Sequence, residues 1–359
     1  MLIQSINLIP YKLPLRKTWK THNDRLSSRS GWLIELTTES GLSGYGDCAP
    51  LPSAGTENLL QAHRCLVMYS KNIQHSTAAE ALQKLPSTLS SPAARCGIET
   101  ALLDLLSQSQ QQSLRHWLSP LARNNVPVNS MIGALERNSH QAAMDAVSRG
   151  FQVLKLKLGM NQLKDDIQHL EELSLQLPGH TKIRLDANGS WSFKQADSFI
   201  RAIHHLPVES IEEPMHEAEL SDLRKLQDST SIALALDEST GKFKLDALLK
   251  SQAVKRLIIK PMARGGLLAS LDFAKRAETH KFETVITSTI ESAVGLQAAA
   301  QLAAAISDSN NPLAHGLATS EWLLENVAPS PDIIDGKLYL ADIHGLGISP
   351  YKGNTDADL

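Results

Sequence analysis

Cysteine is nearly missing from this chain of 359 residues. Cys48, Cys65 and Cys96 are an odd number with no Cys-x-x-Cys spacing, so neither a disulfide framework nor a zinc cluster is indicated, and a reducing cytoplasm is the expected compartment. An excess of one charge is missing too. A net charge of -3 with no basic stripe argues against nucleic acid as a partner. No apolar run is long enough to span a bilayer: the longest low-polarity tract, Ala293 to Ile306, carries Gln297 and Gln301, so no membrane segment is expected. Met1 to Leu15 is apolar in places, but Tyr11, Lys12 and Pro14 interrupt it and no small-residue cleavage site follows. It reads as a strand, not a signal. The common short motifs fail as well. Gly41 to Gly46 falls in a hairpin rather than at a strand-to-helix turn, Gly241-Lys242 lacks a phosphate loop's glycine at Leu236, and HExxH, GxSxG and HxH are absent.

What is present is an ordinary enzyme composition, 42% hydrophobic and 20% charged, in a chain long enough for two domains or for one barrel with additions. Ile3 to Leu8, Gly31 to Thr37 and Leu42 to Cys48 read as strands, with a polar loop from Arg16 to Arg29 and an irregular, proline-containing loop from Ala49 to Gly55. Helical periodicity follows from Asn58 to Ser70 and from Pro92 to Gln108, making residues 1–125 an α+β unit. From Val126 the pattern becomes short apolar strands alternating with amphipathic helices. Val126 to Ile132, Val153 to Leu158, Lys182 to Asp186, Ser210 to Glu213, Ile232 to Asp237, Arg256 to Lys260, Thr284 to Ser288 and Leu313 to Gly316 supply eight strands. Eight such units within 126–329 point to a closed α/β barrel.

The central stretch is Val153-Leu154-Lys155-Leu156-Lys157-Leu158. Alternation puts Lys155 and Lys157 on one face of a strand, opposite the leucines, which is costly in a covered sheet; a solvated edge strand is the structural alternative. Most of the other strands also finish in a chemically able residue. Asn129, Lys157, Asp186, Glu212, Asp237, Lys260, Ser288 and His315 follow one another at intervals of 23 to 29 residues, one βα unit each. In a barrel these ends meet at one face. Asp186, Glu212 and Asp237 are consecutive; three carboxylates meeting there would repel unless a divalent cation joined them, and all-oxygen ligation suggests Mg²⁺. Each alone could instead cap the following helix, and Glu213 and Glu238 are rival ligands. A metal flanked by Lys155, Lys157 and Lys260 is equipment for removing a proton α to a carboxylate. For that a lysine pKa near ~10.4 must fall by roughly two to three units.

The ordered set Lys155-x-Lys157, Asp186-Ala187-Asn188, Glu212-Glu213-Pro214, Asp237-Glu238-Ser239 and Lys260 resembles the muconate-lactonizing subgroup of the enolase superfamily. Within it, Lys260-Pro261 with Gly265-Gly266, Ser288 to Ser292, His315 to Thr319 and Ala49-Pro50-Leu51-Pro52 resemble the o-succinylbenzoate synthases of menaquinone or phylloquinone biosynthesis. The resemblance implies a modified (β/α)7β TIM barrel under an α+β cap, the cap completed by the tail 330–359. It implies Mg²⁺, with Mn²⁺ as a substitute, on Asp186, Glu212 and Asp237; Lys157 as base, Lys155 as its support and Lys260 on the opposite face. The implied reaction is dehydration of a small carboxylate, 2-succinyl-6-hydroxy-2,4-cyclohexadiene-1-carboxylate. Ser288, Thr289, Arg184, Pro50 and Leu51 are candidate substrate contacts, and His315 reads as a packed loop histidine. N-Succinylamino acid racemisation, dipeptide epimerisation and muconate cycloisomerisation are the related alternatives, and a scaffold that kept the fold is the non-enzymatic one. One departure is Asp47, where the family usually has Glu.

Overall fold

Two prolines fail to end the first strand. In the computed structural model, which describes residues 2–20, 25–86, 90–136, 139–307 and 312–351, β1 (Ile3–Lys20) and β2 (Arg25–Thr38) form a long antiparallel hairpin, and β3 (Ser43–Cys48) pairs with β2. The expected polar loop from Arg16 to Arg29 is therefore, apart from 21–24, two strand arms. Pro10 and Pro14 are tolerated because β1 is the edge of this sheet, where a missing N–H breaks no ladder. Against the sheet lies the helix Pro92–Ser109, buried along nearly its whole length. Glycines let the two approach: a Cβ on Gly46 would stand 2.0 Å from the Gly97 carbonyl oxygen.

The β4 strand (Asn125–Pro127) precedes a seven-stranded parallel sheet of β5 (Ser130–Ala134), β6 (Val153–Lys157), β7 (Lys182–Asp186), β8 (Val208–Glu212), β9 (Ala233–Leu236), β10 (Arg256–Ile259) and β11 (Glu283–Ile286), in sequence order. Single parallel bridges, Val128 to His315 and Thr287 to Gly316, curl the sheet shut. The expected eighth strand is thus reduced to residues 315–316, and the expected first strand splits, since Asn125–Pro127 pairs elsewhere. Helices such as Phe193–Ile203 and Ala293–Ile306 cover the outside, their apolar residues joining one core with strand residues such as Leu154, Leu156 and Leu185. Burying each such leucine contributes roughly 1.5–3 kcal/mol.

Below the top of the barrel an ionic group lies beside a small apolar cluster of Ala235, Ile258 and Val285. Glu209 accepts from Arg184 Nε and from Arg256 Nη1, and Arg256 also binds Glu283. The tail forms β12 (Ile333–Ile334) and β13 (Lys337–Tyr339), and β13 pairs with β4. Further on, Leu346 N–H donates to Asp104 of the cap at 2.7 Å while its carbonyl accepts from Gln297 and Gln301 of the barrel. Among the described residues no helix is long and apolar enough to cross a membrane.

Candidate active site

A cavity of about 390 Å³ opens at the C-terminal ends of the barrel strands. Alternation along β6 sends Leu154 and Leu156 into the helical layer and Lys155 and Lys157 to the cavity. Lys260 follows β10, four strands further round, so it faces Lys157 from across the mouth. Asp186 ends β7 and Glu212 ends β8, while Asp237 follows β9 directly.

Charges here are matched closely. Lys155 Nζ donates to both Glu212 oxygens at 2.8 Å and lies 3.2 Å from Asp186 Oδ2. Burial opposes its charge, but Asp186, Glu212 and Asp237 together outweigh it and push the pKa up. Lys260 Nζ lies 2.5 Å from Asp237 and 2.9 Å from Glu238, and these acids likewise overcome burial and hold it charged. Lys157 differs. Its contacts are Asn188 Oδ1 at 3.3 Å, Asp186 at 3.9 Å and the Trp19 ring at 4.9 Å. Burial, assisted by the charges of Lys155 and Lys260 and only partly offset by Asp186, draws its pKa down. A lysine with a lowered pKa beside two charged ones is the group best able to accept a proton.

Glu213, a rival metal ligand on sequence, lines the cavity but is engaged by the backbone. With φ at 44° its carboxylate accepts from the backbone N–H groups of Asp237 and Ser239 at 2.7 and 2.9 Å, fixing the loop that carries Asp237. As they stand, no three acidic, histidine or cysteine side chains among the described residues are gathered closely enough to enclose an ion. Asp186, Glu212 and Asp237 nevertheless all act on one ammonium, that of Lys155. Three carboxylate side chains that already favour positive charge at their centre fit a hard divalent cation.

The structure brings some of the expected substrate contacts to the cavity and not others. Arg184 does not line the cavity: it points below the Asp186 layer to Glu209, Asn129 and the Ala314 carbonyl. Pro50 is not in the wall either; its carbonyl accepts from Arg29, while Leu51 does line the cavity. Ser288 and Thr289 reach the wall, but their hydroxyls are engaged, Ser288 with Thr319 and Thr289 with Glu291. His315 is packed, its Nδ1 accepting from Ile286 N–H at 3.0 Å. The cap contributes Trp19, Leu26, Ser53 and Ala54, and the barrel Met131, Asn188 and Thr287. Of these only Asn188 stands in a motif, Asp186-Ala187-Asn188; the others carry no signal, because single apolar or small residues at a cavity wall have no spacing to read.

Comparison with known proteins agrees with this geometry. Residues 138–353 match the family described as enolase C-terminal domain-like, and residues 3–105 match the MenC N-terminal domain. The chain belongs to the enolase superfamily, in its muconate-lactonizing subgroup. Within the subgroup, relatives carry different activities. The chain is 28% identical to the chloroplast protein PHYLLO of Arabidopsis thaliana over 90% of its own length, spanning a fifth of that protein. It is 29% identical to a hydrophobic dipeptide epimerase of Enterococcus faecalis over 85% of this chain and 88% of that one. An o-succinylbenzoate synthase of Pasteurella multocida is 25% identical over 98% of this chain and 99% of that one. Among solved structures, the dipeptide epimerase of Enterococcus faecalis complexed with Mg and L-Leu-L-Tyr superposes with a TM-score of 0.87 at 27% identity, covering 97% of this chain and all of that one. The muconate lactonizing enzyme of Pseudomonas fluorescens superposes with a TM-score of 0.88 at 22% identity, covering 98% and 97%, and so shares the fold.

Proposed function

We propose that this protein is an o-succinylbenzoate synthase of the cytoplasm, dehydrating 2-succinyl-6-hydroxy-2,4-cyclohexadiene-1-carboxylate. The carrying observation concerns the cap. Residues 3–105 match the MenC N-terminal domain, and that segment supplies Trp19, Leu26, Leu51, Ser53 and Ala54 to the cavity wall. A flat ring beside the base and a neutral, mostly apolar wall suit a six-membered carbon ring. The end-to-end similarity to the Pasteurella multocida synthase supports the same reading.

In this reading Asp186, Glu212 and Asp237 would hold Mg²⁺, which would supply positive charge against the negative charge developing on the substrate's ring carboxylate. Lys157 Nζ, as a neutral amine, takes the proton α to that carboxylate. The β C–O bond then breaks, and the departing hydroxyl takes the proton back from Lys157 on the same face, leaving as water. Lys155 keeps Asp186 and Glu212 aligned. Lys260, charged and across the mouth, stabilises negative charge from the other side. Aromatisation of the ring drives the elimination.

Racemisation or epimerisation is the second reading, favoured by one observation: Lys157 and Lys260 face the cavity from opposite sides, as a two-base proton transfer needs. To separate the two, protein and Mg²⁺ are added to freshly generated cyclohexadiene substrate and its diene absorbance followed, with N-succinylamino acids and dipeptides in D₂O alongside. Rapid Mg²⁺-dependent loss of absorbance supports the synthase. Deuteration at the α carbon without dehydration moves the function to a racemase or epimerase.

A further inference from the structure

Ile290 stands in a conformation that costs energy. Its φ is 61°, and among the described residues it is the only β-branched residue on the positive side. A branched Cβ crowds the backbone there, at a cost of order 1–3 kcal/mol that surrounding contacts must offset. Ile290 also lines the cavity and is 4% exposed. Strain kept at a cavity wall calls for whatever enforces it.

The enforcing group comes from the other domain. Arg29, on β2 of the cap, is 2% exposed, and among the described residues no carboxylate pairs with it. Its guanidinium is divided among three carbonyls: Nε donates to Ile290 at 3.1 Å, Nη1 to Pro50 at 3.0 Å and Nη2 to Ala49 at 2.6 Å. One rigid fork thus ties the barrel loop carrying Ile290 to the cap loop that leads into Leu51, Ser53 and Ala54. Asp47 secures the far end of the barrel loop. Its Oδ2 accepts from Ser292 N–H and Oγ at 2.9 and 2.8 Å, at the start of the helix Ala293–Ile306, and its Oδ1 accepts from Tyr11 at 2.6 Å. Glycine is needed at 295 to let the helix approach this carboxylate, because a Cβ there would stand 2.6 Å from Asp47 Oδ2.

We propose that Arg29 is a positioning residue that sets the gap between the cap wall at Leu51 and the barrel wall at Ile290, with Asp47 fixing the same loop, and that this gap selects the non-reacting arm of the carboxylate substrate. Neither residue touches the lysines or the three metal-site acids. The inference rests on the cavity being a carboxylate-substrate site, and not on which reaction runs there.

The test uses Arg29→Lys, which keeps the charge but loses the fork, and Asp47→Asn, which acts at the other end of the loop. Both are compared with the wild type by hydrogen exchange and by steady-state kinetics on whichever substrate the wild type turns over. Amide exchange should quicken at 49–54 and 288–292 and stay unchanged at the strand ends holding Asp186 and Glu212. KM should rise by about tenfold to a hundredfold, with kcat within about threefold and Mg²⁺ affinity unaltered. Unchanged exchange in both loops with unchanged KM overturns the proposal, and so does a global rise in exchange with kcat and Mg²⁺ affinity lost together. Should the wild type turn over no candidate substrate, the functional reading fails, while the exchange pattern still decides whether Arg29 couples the two walls.

Discussion

Acid should weaken this fold through one histidine, by an amount that a single substitution can isolate. His315 lies in the segment that closes the barrel; its Nδ1 accepts from Ile286 N–H at 3.0 Å and its Nε2 meets Ser307 Oγ at 3.2 Å. Protonating Nδ1 would break the first of these bonds. Burial, with help from the Arg184 charge, pushes its pKa down to about 3. Unfolded, it titrates near ~6.5. Between those values the unfolded chain carries the extra proton, so stability present above pH 6.5 is lost as pH falls, at about 1.4 kcal/mol per pH unit. Asp47 and Asp104, whose carboxyls burial pushes up to about 6, act oppositely: their contribution is present at low pH and lost as pH rises through 6. The total slope therefore mixes signs. His315→Asn resolves it, because an Asn Oδ1 can still accept from Ile286 while the titration disappears. At pH 7 the variant should be less stable by roughly 1–2 kcal/mol. Between pH 6.5 and 4.5 that deficit should close by about 2.3 kcal/mol and reverse, since the acids are common to both proteins and cancel. Urea unfolding at half-unit steps of pH is the assay. A deficit constant across that range would refute a neutral, buried His315.

Three further outcomes are expected. Mg²⁺ at a hundred times its dissociation constant should stabilise the wild type by about 2.7 kcal/mol, read as a rise in Tm, and Asp186→Asn should abolish that rise. Lys157→Ala should lower turnover by at least about 10²-fold while retaining the Mg²⁺ shift in Tm, so joint loss of both would show a structural role instead. Trp19 packs edge-on to Trp322 and faces Lys157, so ligand quenching of tryptophan fluorescence should vanish in Trp19→Phe and persist in Trp322→Phe. Equal quenching in the two variants would take Trp19 out of the occupied cavity.

Much of the barrel was legible because its strands are short apolar runs with charged ends. Lys182 to Asp186 falls at the expected residues, since a buried parallel strand needs continuous apolar sequence and its polar terminus marks where burial ends. The β1–β2 hairpin differs from the expected loop because a polar, charged stretch such as Arg16 to Arg29 suggests loop; whether a strand lies on an edge, where such residues are harmless, is settled only by which strands pair. Arg184 shows the same limit at the site. Alternation correctly turns it inward with Asp186, but depth along the barrel axis decides between cavity and ionic floor, and periodicity carries no depth. Arg29 gave no signal at all, since its partners are carbonyls, which every residue possesses.

The pairing of β13 with β4 fixes an order of events during synthesis. Val126 finds its partner at Leu338, so the strand between cap and barrel is made more than 200 residues before the segment that satisfies it. At about 5–20 residues per second a nascent chain carries that open edge for roughly 10 to 40 s. Cap and barrel are consequently not modules that can be released one after the other: a polypeptide stopped before Lys337 would present an unpaired strand at the hinge between them.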